Sequence, residues 1–282
     1  MLTKEEQVKI EKLALEIRIG IVEAIQSLGT GHIGGSLSIA DVLAVLYGKV
    51  MRYDVKNPRM EGRDKLVCSK GHAGPGVYAT LAATGYIPRE ELKTLNKPGT
   101  HLPSHCDMRL TNGIDMTTGS LGQGCSTACG IAYADKLKGN DAHTYLIIGD
   151  GESNEGQVWE AAMFAAAKKL NNITFIVDWN KKQLDGWTAD INPSHDFEEK
   201  FRAFGFDAIT VNGGDVAELE NALTRKSFDK PLAVIMDTVK GAGIKEVEET
   251  MGNHSMAPKF EVAQKWIDDL QAEHVALCGE KY

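Results

Sequence analysis

The amino-acid sequence predicts an α/β protein, a doubly wound and mostly parallel sheet with helices on both faces. Short apolar runs at about 65–69, 143–149, 173–179, 207–211 and 232–239 alternate with helical stretches at about 122–137, 156–169, 194–204, 215–227 and 258–272. That is the order of buried parallel strands joined by helical crossovers. At 282 residues with 43% hydrophobic content, the chain is also long enough for one substantial α/β core and short for two. No repeat, low-complexity segment or interior linker divides it, so residues 1–282 are expected to form a single domain.

The elements follow in order. Thr3 and Glu6 make a capping box, after which Ile10, Leu13, Ala14, Ile17, Ile21, Ala24, Ile25 and Leu28 recur at three and four, and Gly29 ends the helix. Five connections are long and rich in Gly, Pro and His: Gly29 to Ser36, Cys68 to Gly76, Lys97 to Gly124, Lys181 to Ser194 and Lys240 to Pro258. Loops of this kind in compact domains are often functional. A last helix carries Phe260, Ala263, Ile267 and Leu270 behind Pro258, and a polar tail from Cys278 to Tyr282 reads as a natural terminus.

A net charge of -8 argues against nucleic acid or an anionic membrane as the main partner, leaving small molecules or protein. No stretch reaches the ~20 apolar residues of a membrane span, and the amino terminus is a polar helix start, so a cytoplasmic location is expected. Cys68, Cys106, Cys125, Cys129 and Cys278 lack zinc-like spacing and are expected to be reduced; Cys125 and Cys129 lie one helical turn apart, as packing residues do.

Two residues at strand ends define a candidate site. Asp150 follows Tyr145-Leu146-Ile147-Ile148 within Gly149-Asp150-Gly151, and Asn180 closes Ile173-Thr174-Phe175-Ile176-Val177 thirty positions after Asp150. Carboxylate and amide oxygens suit magnesium, or a calcium or manganese ion in its place, which shares its remaining positions with phosphate and water. Parallel strands gather ligands at their carboxyl ends. The helix after Gly156 is expected to turn its positive end toward the same anion, and the glycine-dense turn Gly119 to Gly124 is a generic anion cradle. Gly-Asp-Gly and Asn are each ordinary strand-ending turn residues when taken singly.

The whole segment from Gly149 to Gly186, GDGESNEGQVWEAAMFAAAKKLNNITFIVDWNKKQLDG, resembles the thiamine diphosphate signature of transketolase-type enzymes. The resemblance implies a thiamine diphosphate-binding fold. It implies that Asp150, the Asn180 side chain and the Lys182 backbone carbonyl hold the metal, with Gly149 and Gly151 beside the diphosphate. Ser120, Leu121 and Gly122 would lie by the cofactor rings, and Glu155 would match a carboxylate that reaches across a subunit interface. His32, His72, His105 and His254 match the histidines that transketolases place around the sugar. By that resemblance His32 and His254 stand near the hydroxyl that loses a proton, and His72 and His105 hold the ketol end, His72 also near the diphosphate. Histidine suits proton exchange near neutral pH. His101, His143, His195 and His274 have no such match and read as ordinary surface or core residues.

The chain departs from the family at Asn253-His254-Ser255 and at Lys181-Lys182-Gln183, which bears on substrate specificity. The resemblance runs from near residue 5 to near residue 270 and covers only the first domain of a transketolase. It implies the amino-terminal subunit of a split enzyme, inactive alone and joined, in a heterotetramer of two heterodimers, to a separate carboxyl-terminal subunit. The substrates would be a ketose donor and an aldose acceptor, which the sequence leaves open between sugar phosphates, branched sugars and sulfonated sugars. Two alternatives are a subunit of another thiamine diphosphate enzyme, of the 2-oxoacid dehydrogenase or deoxyxylulose phosphate synthase type, and a non-catalytic diphosphate-binding domain. Neither needs all four histidines.

Overall fold

All five expected strands pair into one parallel sheet in the computed structural model, which describes residues 1–278. Of the expected tail from Cys278 to Tyr282, the Cys278 side chain and residues 279–282 lie outside the described residues. In chain order the strands are β1 (Lys65–Cys68), β2 (Thr144–Gly149), β3 (Ile173–Trp179), β4 (Lys182–Gln183), β5 (Gly186–Trp187), β6 (Asp207–Asn212) and β7 (Leu232–Asp237). The sheet runs β1-β2-β3-β7-β6, while β4 and β5 form a separate small hairpin.

Alternate side chains serve two cores, as a period of two requires. Val67, Leu146, Phe175, Val177 and Ile235 face the helices Gln123–Lys138, Gly156–Ala167 and Phe197–Ala203. Leu66, Ile147, Ile176, Val234 and Met236 face Lys4–Leu28, Gly74–Ala83, Val216–Leu223 and Phe260–Cys278. Moving from β1 to β2, β3 and β6 goes one way across the sheet, and returning to β7 reverses it. Right-handed crossovers therefore put the returning helix on the opposite face. In such sheets ligands gather at the carboxyl ends of the strands.

The first helix is capped as its sequence implies: the Glu6 backbone donates to Thr3 Oγ1 at 3.2 Å, the Thr3 backbone donates to Glu6 Oε2 at 2.9 Å, and Gly29 takes φ +82°. Helices at Gly34–Leu37, Ala40–Val45 and Gly74–Ala83, with a wide turn at Leu46–Val50, go beyond the elements read from the sequence. Residues 39–46 are buried on every side, so no polar stripe marks a helical period there. Cys68, Cys106, Cys125 and Cys129 are free and buried. Among the described residues no helix is long and apolar enough to cross a membrane.

Candidate active site

The carboxyl ends of β2 and β3 open into a cleft of about 310 Å³ that contains Gly149, Asp150, Gly151, Asn180 and Lys182. Three loops and one short turn bring the four histidines into it. His72 sits on the turn Gly71–Ala73 directly after β1. His32 and His254 are drawn together by a two-residue bridge, in which Gly31 and Met256 exchange backbone hydrogen bonds of 2.9 Å. His105 is held by the Tyr78 hydroxyl, 3.0 Å from its carbonyl oxygen and 2.9 Å from that of Pro103. The rings converge: His32 lies 5.6 Å from His72, 5.6 Å from His105 and 5.2 Å from His254, and His72 lies 4.8 Å from His254. A larger neighbouring hollow of about 530 Å³ beside β6 and β7 carries no histidine, so the chemistry belongs to the smaller cleft.

Burial sets the charge state of this cluster. It pushes His72 down to about 2, with Lys70 adding to the shift, and His254 down to about 4, with Lys240 adding. His32 and His105 move the same way for the same first reason. All four imidazoles are neutral at pH 7. Lys240 is lowered to about 8 by burial and by Lys70; its ammonium lies 2.9 Å from the Lys182 carbonyl and 3.3 Å from His254 Nδ1. Lys70 pairs with Asp178, both fully buried. Burial alone would raise Asp178, but Lys70 and the hydroxyls of Thr238 and Ser38 hold it below the usual carboxylate range.

The oxygen donors fit a hard divalent ion. Asp150 Oδ1 accepts from the Gly151 amide at 2.8 Å, and Oδ2 accepts from the Lys181 amide at 2.6 Å and the Thr188 hydroxyl at 3.3 Å. No cationic side chain among the described residues bonds to it, and burial, then Asp178, raise it to about 6. A cation would supply the missing counter-charge. Asn180 Oδ1 and the Lys182 carbonyl complete a carboxylate, amide and backbone set. The Lys182 ammonium turns away to the carbonyls of Glu248 and Thr250, at 2.7 and 3.3 Å, while the Lys240 ammonium, 2.9 Å from the Lys182 carbonyl, would give up that acceptor to a bound cation.

Other expected residues fall differently. Leu121 and Gly119 line the cleft, whereas Ser120 and Glu155 are exposed and stand outside its lining. The Gly122 amide is taken by the buried carboxylate of Glu152 at 2.8 Å, so this part of the glycine turn is braced and offers no free donor to an anion. The helix expected to aim at the anion begins at Gly156 as read, but the short turn Glu152–Asn154 lies between it and β2, and its exposed start lies outside the lining. Positive charge enters instead through Lys70 and Lys240, and neither these nor Glu152 and Asp178 stand out in the sequence as site residues. Lys70 lies two residues before His72 in one of the glycine-rich loops, a signal that could have drawn notice. Asn253, one of the departures, is a buried brace whose amide donates to the carbonyls of Lys240 and Val247 at 2.9 and 2.8 Å.

Residues 10–266 match the family described as transketolase, thiamine diphosphate binding domain. The chain is 47% identical over 271 residues to the 6-deoxy-6-sulfo-D-fructose transketolase subunit SqwG of Clostridium sp. strain MSTE9, covering 95% of this chain and 98% of the relative. It is 38% identical over 267 residues to an apulose-4-phosphate transketolase subunit of Actinobacillus succinogenes, covering 94% and 97%. Its fold is similar to that of the transketolase from Campylobacter jejuni, with a TM-score of 0.83 and 28% identity over 98% of this chain but 47% of that one.

Proposed function

Because this chain belongs to the transketolase family, through its thiamine diphosphate-binding domain, we propose that it is the amino-terminal subunit of a two-subunit transketolase. It would transfer a two-carbon ketol unit from a ketose to an aldose. The observation that carries this reading is the convergence of four histidines with Asp150 and Asn180 in one cleft. In this reading Asp150, the Asn180 amide oxygen and the Lys182 carbonyl hold Mg2+, and Lys70 and Lys240 face the diphosphate. Bound there, thiamine diphosphate supplies a stabilised carbon nucleophile.

The protein's own part is proton handling and orientation. A neutral imidazole can take a proton from a sugar hydroxyl at pH 7, and burial makes all four neutral. While the Lys240 ammonium donates to His254 Nδ1, the imidazole proton of His254 stays on Nε2, where it can donate a hydrogen bond to a sugar oxygen. His32, edge-on to His254, is then the acceptor for the proton lost as the donor sugar is cleaved. His72 and His105 bracket the remaining sides of the same space.

Relatives of nearly the same length are named as subunits, whereas the Campylobacter transketolase is about twice as long. This supports a separate carboxyl-terminal partner, and we propose that the two join as a complex of two heterodimers. The chain by itself is expected to show negligible ketol transfer until that partner is added; full turnover by this polypeptide alone would refute the assignment. The greater likeness to the sulfofructose subunit makes a ketose with a terminal sulfonate the first donor to assay, ahead of a branched sugar phosphate. Calorimetric titration of thiamine diphosphate should show Mg2+-dependent uptake that Asp150→Ala abolishes. Unchanged uptake by that variant would remove the metal site from the proposal.

A further inference from the structure

Asp178 stands two residues before Asn180 on β3, fully buried, and has no part in the proton handling described above. Its Oδ2 accepts from Ser38 Oγ at 2.7 Å, from Asn180 Nδ2 at 2.8 Å and from the Lys70 ammonium; its Oδ1 accepts from Thr238 Oγ1 at 2.6 Å. An ionised carboxylate only accepts, so the end of Asn180 that meets it must be the NH2 group. The carbonyl end therefore turns the other way, where the Lys182 amide donates to it at 3.2 Å. Ser38 and Thr238 approach from the neighbouring hollow and tie the carboxylate to elements on the far side.

We propose that Asp178 is a positioning residue for the metal: by accepting from Asn180 Nδ2 it holds the amide with its oxygen toward the cleft, and by pairing with Lys70 it keeps that ammonium from competing with a cation. The inference rests on Asp150 and Asn180 as cation ligands. A carboxylate serving only as the internal counter-ion of Lys70 would contribute to folding but would not act through Asn180.

The test is Mn2+ titration of the full chain with thiamine diphosphate, followed by electron paramagnetic resonance, for the parent, Asp178→Ala, Asn180→Ala and the double variant. Groups that orient a metal ligand are worth about 10–100-fold in metal affinity, and Asp178→Ala is expected to weaken Mn2+ by about tenfold or more. In the Asn180→Ala background the same substitution should weaken it markedly less, because its target is gone. Thiamine diphosphate without metal should bind Asp178→Ala at least as tightly as the parent, since Lys70 is released; a merely damaged fold would lose both.

Mn2+ affinity within about twofold of the parent, or losses that add without coupling, would overturn the inference. If Asp178→Ala does not fold, Thr238→Val loosens the same carboxylate from the far side. Its loss of Mn2+ affinity should shrink when Asn180 is Ala, and an equal loss in both backgrounds, or none, counts against the idea. A parent chain that takes up no Mn2+ with thiamine diphosphate would overturn the metal site itself, and this inference with it, which separates that failure from a failure of Asp178 alone.

Discussion

Glu152 lines the cleft and at the same time holds three of the segments around it together. Its buried carboxylate accepts from Ser69 Oγ at 2.5 Å and from the amides of Gly122 and Gly149 at 2.8 and 3.0 Å, linking the ends of β1 and β2 to the glycine turn. Glu152→Gln keeps the shape but turns an NH2 group toward donors. Leaving a buried donor unmatched costs about 1–3 kcal/mol, so urea unfolding should show a loss of that size. An unchanged midpoint would mean that water replaces the carboxylate. Nothing in the sequence marked Glu152, which reads as a polar residue in a turn. Asp150 was legible because strand-ending carboxylates have a chemical use, and the four histidines because a family pattern linked positions far apart in the chain. The acceptor role of Glu152 depends on three donors from three segments, and spacing cannot reveal that.

Elements meet closely where glycine has no side chain. A Cβ on Gly71 would lie 2.7 Å from the Gly119 nitrogen and 2.7 Å from the Thr118 carbonyl carbon, both backbone atoms that cannot swing aside. This contact sets the spacing between the His72 turn and the loop that carries His105. Gly71→Ala should therefore lower stability by about 1–3 kcal/mol and also weaken cofactor binding, read by urea titration and calorimetry. Gly130 is the counter-case, an exposed position inside the helix Gln123–Lys138 where an added Cβ meets nothing within 4 Å. Gly130→Ala should stabilise the isolated chain by about 0.4–1 kcal/mol. Opposite signs at two glycines test the packing directly; equal effects would contradict it. The strands were readable as elements because burial on both faces left continuous apolar runs. Helices at Ala40–Val45 and Gly74–Ala83 were not, since the same complete burial erases the stripe that identifies a helix.

Across the whole molecule, buried histidines tie folding to pH. Burial holds His72 at about 2 and His254 at about 4, and it also holds His143, at the other end of the sheet against Tyr145 and Thr174, at about 4. His32 and His105 are lowered as well but more open to solvent, so they add less. Unfolded, each returns to about 6.5. Between about 6.5 and 4 the unfolded chain therefore binds more protons than the native one, and stability falls as pH falls through that window. Asp150 opposes this, because its native value of about 6 lies above the ordinary 3.8 and the native state gains a proton first. Asp64 and Glu152, also raised by burial, act in the same direction as Asp150. The histidines outnumber Asp150 in the upper part of the window, so the melting temperature should drop from pH 7 to pH 5. His143→Asn, which leaves the cleft untouched, should make that drop shallower. A melting temperature that holds steady or rises toward pH 5 would mean that the imidazoles are hydrated in the native state. The convergence of the histidines would then be looser than the fold requires.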